Sequence, residues 1–133
     1  YTLKKKDVGK RVSVRVTARK SGYDDGASSS KAVKVKKAKA KVTARVKSAG
    51  KRAKVVVRVK ASGYPKPAGT VRVKVGKKTV KAKLKASAKG RVTVRLPRLA
   101  RGAYRIKVTY TPNAKSTKHV TKASSKRVTL RVR

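Results

Sequence analysis

The stretch Gly102-Ala103-Tyr104-Arg105-Ile106-Lys107-Val108-Thr109-Tyr110 decides the fold class of this 133-residue chain. From Tyr104 to Tyr110, apolar and aromatic residues alternate strictly with basic or hydroxyl residues. Successive side chains of a β-strand point to opposite faces of the sheet, so this period of two predicts a strand with one buried face. The other face of that antiparallel strand carries Arg105 and Lys107 into solvent.

The same period recurs along most of the chain, and β-branched residues, which strands favour, fill most inward positions. Helical periodicity is absent, and turn-forming residues separate the runs, so the sequence predicts an all-β chain. The alternating inward residues are Val12, Val14 and Val16; Val55, Val57 and Val59; Val71, Val73 and Val75; Val80, Ala82 and Leu84; Val92, Val94 and Leu96; Tyr104, Ile106, Val108 and Tyr110; and Val128, Leu130 and Val132. The predicted turns lie at Asp7-Val8-Gly9, Ser21-Gly22, Asp24-Asp25-Gly26, Ser48-Ala49-Gly50, residues 64–69, Gly76-Lys77-Lys78, Lys89-Gly90 and Pro112-Asn113.

The composition is dominated by positive charge. Lys and Arg account for 43 residues against three acidic ones, which gives a formal net charge of +40. Such a charge predicts a polyanionic partner, and its self-repulsion is expected to destabilise the fold at low ionic strength. The chain lacks Cys, Met, Trp and Phe, so a disulfide framework and a thiolate metal site are excluded, and the core must be built from Val, Ala, Leu, Ile and Tyr. No apolar run long enough for a membrane span and no signal peptide are visible.

The strand pattern predicts two unequal parts. Residues 42–133 hold about seven strands, enough for one complete antiparallel sandwich. Residues 1–37 hold about three, which predicts an incomplete domain, and residues 38–41 are predicted to be a linker. Because Tyr1-Thr2-Leu3 has the pattern of a strand end, we expect the chain to be a fragment of a longer protein, or its numbering to begin where order begins.

Motifs in both parts resemble bacterial immunoglobulin-like repeats. In the first part, these motifs resemble the C-terminal half of such a repeat in secreted actinobacterial proteins: Tyr1-Thr2-Leu3, Asp7-Val8-Gly9-Lys10, the alternating residues 11–16 and Ser21-Gly22-Tyr23. In the second part, the motifs similar to another repeat of this kind are Gly69-Thr70-Val71-Arg72-Val73, Leu96-Pro97-Arg98-Leu99, residues 102–110 and Val128-Thr129-Leu130.

This resemblance implies an immunoglobulin-like β-sandwich, with one complete domain preceded by the C-terminal half of another. It also implies an extracellular or cell-wall location, since such repeats are commonly appended to surface proteins or secreted enzymes. The chain departs from the family in its outward positions, which carry Lys and Arg where the repeats carry mostly Thr, Ser, Gly and Ala.

The basic residues at outward strand positions are the candidate binding site. Side chains two residues apart on a strand lie about 7 Å apart on one face, so each run predicts a ladder of charges. Neighbouring strands are expected to tile these ladders into a broad cationic sheet face. Edge lysines also block strand-to-strand aggregation, which explains a few of them but not nearly every outward position. The predicted polyanion-binding residues are Arg58, Lys60, Arg72, Lys74, Lys81, Lys83, Lys85, Arg95, Arg105 and Lys107.

Catalytic and metal-binding chemistry has few candidate residues. Asp7, Asp24 and Asp25 are the only carboxylate side chains, all in predicted turns, and Asp7 is interpreted as a turn cap. His119 stands without an acid or thiol motif and is interpreted as a loop residue. The sequence thus predicts no enzyme active site, no metal and no cofactor.

The five tyrosines offer little for base stacking. Tyr23 and Tyr64 each follow a Ser-Gly pair at a turn, and packing over a sheet edge is the favoured interpretation over stacking on a base or sugar. Tyr104 and Tyr110 are predicted to be core residues.

Four functions remain open. The first is a secreted or surface module that binds polyanions, such as anionic wall polymers, extracellular DNA or acidic polysaccharide, by diffuse electrostatics. The second is a protein that binds or compacts DNA or RNA, although no nucleic-acid-binding motif is present. The third is a stalk or subunit of an extracellular filament or surface assembly, with an acidic protein partner, self-assembly or strand donation by a neighbouring chain. The fourth is a charge-engineered variant of an ordinary repeat.

Overall fold

The computed structural model describes residues 1–48 and 52–133. It is mostly β with several antiparallel sheets, which confirms the all-β prediction. The chain divides into two compact units, Tyr1–Lys37 and Ala38–Arg133, called here the first and second units. Ala49 and Gly50 of the predicted turn at 48–50 lie outside the described residues.

The strands are numbered in chain order. The first unit contains β1 (Arg11–Val12), β2 (Arg15–Ala18), β3 (Gly26–Ser29) and β4 (Val33–Lys34). The second unit contains β5 (Ala40–Ser48), β6 (Lys54–Ala61), β7 (Gly69–Val75), β8 (Lys78–Leu84), β9 (Arg91–Arg95), β10 (Gly102–Pro112), β11 (Ala123–Ser124) and β12 (Val128–Val132). Short 3₁₀ helices span Lys5–Asp7 and Ala86–Ala88, and the one-turn helix α1 spans Ala114–Thr117.

The second unit is a β-sandwich-like arrangement of two antiparallel sheets. One sheet has the order β5-β6-β9. The other has the order β11-β10-β7-β8, and β12 also pairs with β10. Consecutive strands therefore change sheet three times, between β6 and β7, β8 and β9, and β9 and β10. These changes of sheet place the apolar faces of the two sheets opposite each other.

The core forms where the inward residues of the two sheets meet, as the alternation predicts. β6 and β7 show it most clearly, because Val55 and Val57 on one sheet and Val71 and Val73 on the other are fully buried. Burying a Val side chain stabilises the fold by roughly 1.5–3 kcal/mol relative to leaving it exposed, so these valines supply much of the stability of a unit without large aromatic residues other than Tyr. The core also holds Val42, Ala53, Val59, Tyr64, Val75, Leu84, Val94, Leu96, Leu99, Ile106, Val108, Tyr110, Val120, Leu130 and Val132.

Glycine is required at one close approach and at one tight turn of the sandwich. Gly90 has a φ of +80°, and its carbonyl accepts a hydrogen bond from the Val59 amide at 2.7 Å. A Cβ at Gly90 would collide with the Val59 carbonyl oxygen. Gly76 has a φ of +56° and, with Lys77, makes the two-residue connection between β7 and β8. Only glycine adopts such positive φ angles without steric cost.

The first unit differs from the prediction of one half-buried strand through Val12, Val14 and Val16. β1 pairs with β4 and β2 pairs with β3, but the run breaks between them. At the break, the Val14 amide donates to the Ser30 hydroxyl at 2.9 Å instead of to a ladder carbonyl. Val14 and Val16 are each 62% exposed, because no second layer of strands within residues 1–37, all of which the structure describes, covers them.

Three other segments also differ from expectation. Tyr1-Thr2-Leu3 lies outside any strand. In the predicted linker 38–41, Ala38 forms a bridge with Val120, and residues 40 and 41 belong to β5, where pairing with β6 extends the strand. The predicted turn at Pro112-Asn113 leads into α1, because the Asn113 side chain caps the helix by accepting a hydrogen bond from the Ser116 amide at 2.9 Å.

Candidate functional site

Six of the predicted binding residues lie on one outer face of the sandwich. β7, β8 and β10 are neighbours in one sheet, and their inward valines leave the alternating Lys and Arg residues exposed. β12 adds one further arginine to this face. The four-strand cationic face is defined by Arg72, Lys74, Lys81, Lys83, Arg105, Lys107 and Arg131.

Register places like charges directly opposite each other on this face. Lys74 on β7 is paired with Lys107 on β10, and Arg72 on β7 is paired with Lys81 on β8. Directly opposite Cβ atoms lie about 4.5–5.5 Å apart, and like charges in such pairs are destabilising. The four-strand cationic face therefore concentrates positive charge at a cost to the stability of its own sheet.

The other predicted residues on strands lie on the opposite sheet. Arg58 and Lys60 on β6 and Arg95 on β9 point outward from β5-β6-β9. The expectation of one broad cationic face is therefore replaced by two faces, because the sandwich separates these strands into different sheets. The three-strand cationic face is defined by Lys41, Arg45, Lys54, Arg58, Lys60, Arg91 and Arg95.

Register also brings like charges together on the three-strand cationic face. Arg58 is opposite Arg91, and Lys60 is opposite Lys41. Sequence reasoning missed Lys41, because residues 38–41 are predicted to be a linker, and Arg91, because the predicted alternating run begins at Val92. It also missed Arg45, Lys54 and Arg131. Lys85, in contrast, follows the last residue of β8 and precedes the 3₁₀ helix Ala86–Ala88, so it lies beyond the ladder in which it was predicted.

Neither face has a carboxylate side chain in its own unit. All three acidic residues lie in the first unit, and residues 38–133 contain no Asp or Glu. Thr residues lie between the basic ones, for example Thr43 opposite Arg58 and Thr109 opposite Arg72. Lys and Arg with interspersed hydroxyl donors are the side chains that contact phosphate oxygens in nucleic-acid complexes.

A shallow groove lies beside the three-strand cationic face. Lys39, Lys41, Lys60 and Lys89 contribute its charge, and Tyr64, Pro65 and Pro67 contribute apolar surface. Lys89 reaches this position from a left-handed backbone conformation, with a φ of 48°. The groove extends the positive surface from the sheet onto the loop before β9.

The tyrosines are used mainly in packing. Tyr110 is fully buried and its hydroxyl donates to the Ala68 carbonyl at 2.9 Å, and this burial raises its pKa. The Tyr64 side chain is buried, with its hydroxyl 3.3 Å from the Ser116 hydroxyl. Tyr104 is only partly buried, and Tyr23 is 70% exposed with Lys20 Nζ 4.8 Å from its ring centroid. Neither cationic face, as defined by its residues, presents an aromatic ring for base stacking.

Asp7 and Asp25 make local contacts within the first unit. The Asp7 carboxylate accepts hydrogen bonds from the Tyr1 hydroxyl at 2.6 Å and from the Lys4 amide at 2.7 Å. These two bonds lower the pKa of Asp7, and the carboxylate raises the pKa of Tyr1. Asp25 forms a 3.0 Å ion pair with Arg19.

His119 is more enclosed than the loop position predicted for it. Its ring stacks on Tyr64 with centroids 5.7 Å apart, and its Nδ1 is buried without a hydrogen-bond partner. Within residues 1–48 and 52–133, no group of three or more His, Cys, Asp or Glu residues is arranged to hold a metal ion.

Among the described residues, no helix has the length and apolar character needed to span a bilayer. No protein-family model matches the chain, and a search of curated proteins finds no similar sequence.

Proposed function

We propose that this chain is a non-catalytic module that binds linear anionic polymers through the exposed Lys and Arg residues of its second unit. The observation that carries the proposal is the set of like-charge pairs, Lys74 with Lys107, Arg72 with Lys81 and Arg58 with Arg91. These pairs cost folding stability, and residues 38–133 supply no acidic side chain to offset them. A polymer of phosphate, sulfate or carboxylate groups would supply the missing countercharge.

Binding by this mechanism is spread over many contacts. Each neutralised phosphate releases condensed counterions, so affinity depends on the number of contacts and falls with salt, whatever the sequence of the polymer. Since the two faces lack aromatic rings, stacking on single-stranded bases contributes little to the binding we propose. For such diffuse electrostatic binding, the phosphate groups of a wall polymer or DNA are equivalent to the carboxylate or sulfate groups of a polysaccharide.

We further propose that the sandwich is immunoglobulin-like. In an immunoglobulin fold the second and fifth strands pair in one sheet, and the third, sixth and seventh lie in the other. Here β6, the second strand of the unit, pairs with β9, the fifth. The sixth strand, β10, lies between β7, the third, and the last strand, β12, when the two-residue β11 is counted as an addition. Near the start of β10, the Tyr104 hydroxyl donates to the Ala100 carbonyl at 3.0 Å, which is the geometry of a tyrosine corner.

An extracellular or cell-wall location is part of the same proposal. It rests on the resemblance of Gly69–Val73, residues 102–110 and Val128–Leu130 to immunoglobulin-like repeats of surface proteins. Anionic wall polymers, extracellular DNA and acidic polysaccharide are the polyanions found there.

The test compares polymers that differ in charge on the same backbone. We expect the full chain to bind dextran sulfate at physiological salt and not to bind dextran, as measured by isothermal titration calorimetry. Duplex DNA and a purified anionic wall polymer, tested in parallel, distinguish the source of the anionic groups. Equal binding to dextran and dextran sulfate would show a shaped carbohydrate site, and absence of binding to every anionic polymer would overturn the proposal.

A further inference from the structure

The two cationic faces lie on opposite sides of one sandwich. The inward residues of both sheets meet in a core where Val57, Val73 and Val108 are fully buried. The outward residues of the two sheets consequently point away from each other. Packed sheets lie about 10 Å apart, so the charged side chains that extend outward from them are separated by more than the roughly 8 Å Debye length of physiological salt.

Each face is a separate binding surface for this reason. The charges of the four-strand cationic face are screened from those of the three-strand cationic face, so filling one leaves the other positive. Neither can be neutralised by acidic side chains of residues 38–133, since these residues contain none.

A stiff polyanion cannot serve both faces at once. Duplex DNA has a persistence length of about 50 nm, which is far longer than the thickness of a two-layer sandwich. Wrapping one duplex segment around such a body would require a bend with a high elastic cost. The second face is thus left for another polymer segment.

We infer that one copy of the second unit binds two polyanion segments at the same time, one on each cationic face, and so cross-links anionic polymers. This inference rests on the proposed polyanion binding. The module is then bivalent, and binding of two segments by each copy joins the polymers into a network. Bridging requires both faces, whereas binding requires only one.

The test measures binding and bridging separately with a short duplex. Beads carrying biotinylated 30-base-pair DNA are incubated with the 133-residue chain and then with a fluorescent copy of the same duplex. Fluorescence captured on the beads reports bridging, and anisotropy of the fluorescent duplex alone reports binding. We expect the wild-type chain to bind the duplex and to capture the fluorescent copy.

Three variants, each lacking four positive charges, separate face geometry from net charge. The first removes charge from the four-strand face, the second removes charge from the three-strand face, and the third removes two charges from each face. The first carries Arg72→Gln, Lys74→Gln, Lys81→Gln and Lys107→Gln. The second carries Lys41→Gln, Arg58→Gln, Lys60→Gln and Arg91→Gln. The third carries Arg58→Gln, Lys74→Gln, Arg91→Gln and Lys107→Gln.

We expect each of the two single-face variants to capture at least about tenfold less fluorescent duplex than the third variant, which continues to bridge. Their affinity for the duplex is expected to lie within about tenfold of that of the third variant. Because Gln removes like-charge repulsion from exposed positions, the variants are expected to fold, and circular dichroism checks this. Equal bridging by all three variants, or equal loss in all three, would overturn the inference. Wild-type binding without capture would overturn bridging alone, and absence of binding would overturn the proposed function as well.

Discussion

At the residue scale, Tyr104 shows how one hydroxyl fixes the connection between β9 and β10. Its hydrogen bond to the Ala100 carbonyl, at 3.0 Å, closes the loop four residues upstream. We expect Tyr104→Phe to lower the free energy of unfolding by about 1 kcal/mol, the usual net value of one hydrogen bond. Urea denaturation measures this, with Tyr23→Phe as the control because Tyr23 is 70% exposed. Equal stability of Tyr104→Phe and wild type would refute the role of this bond.

Gly90 tests whether close backbone approach, rather than positive φ alone, selects glycine. Gly63 has a φ of +69° in open space, whereas a Cβ at Gly90 would collide with the Val59 carbonyl oxygen. We expect Gly63→Ala to cost about 1 kcal/mol from its backbone conformation. Gly90→Ala is expected to cost at least about 1–3 kcal/mol more, because β6 and its neighbours must shift. Similar unfolding midpoints for the two variants would contradict the steric account.

Asp7 makes the stability of the first turn of the first unit depend on pH. The hydrogen bonds from the Tyr1 hydroxyl and the Lys4 amide lower its folded-state pKa. The ionised carboxylate therefore stabilises the Lys5–Asp7 turn above the pKa of the unfolded chain, and this stabilisation is lost as the pH falls through the lowered pKa. We expect the Lys4 amide proton shift, followed by NMR, to titrate with a midpoint below the ordinary aspartate value. In Asp7→Asn this titration is expected to disappear, and its persistence would assign it to another group.

At the element scale, the pairing of β7 with β10 sets Lys74 against Lys107. Lys107→Glu replaces a repulsive cross-strand pair with an attractive one. We expect it to raise the free energy of unfolding by up to about 1 kcal/mol at low ionic strength, and by less in high salt. The matched test repeats the substitution in a Lys74→Gln background, where most of the gain should vanish. If Lys107→Glu raises the free energy of unfolding equally in the Lys74→Gln background, the gain comes from the positive field of the whole protein and not from Lys74.

The strands themselves are largely predictable from sequence, and their assignment to sheets is not. Alternation around Val57, Val73 and Val108 predicts β6, β7 and β10 because each inward residue must be buried for the strand to be stable. It carries no information on which strand lies beside which. Thus the outward direction of Arg58 was predictable, while its position opposite Arg91, on the face away from Arg72, required the register.

The first unit shows a second limit of pattern reasoning. Val14 and Val16 alternate as regularly as the core valines of β6, yet both are 62% exposed. Alternation specifies which face is apolar, and burial additionally requires another layer to cover that face. No residue within 1–37 supplies such a layer.

At the scale of the whole molecule, positive charge opposes folding and favours binding. The formal charge of +40 raises the energy of the folded state, and salt reduces this self-repulsion. The same salt weakens attraction to a polyanion by reducing the gain from counterion release. Folding stability and polyanion affinity are therefore expected to respond to salt in opposite directions, with both effects arising from the same outward Lys and Arg residues.

The most direct test of diffuse electrostatic binding is the affinity for duplex DNA as a function of salt concentration. Each phosphate contact contributes about −0.9 to the slope of log affinity against log salt, so a face making about five contacts predicts a slope of about −4.5. Binding with that slope, independent of DNA sequence, is the predicted result. A slope near zero, or tight binding that persists in high salt, would contradict the account.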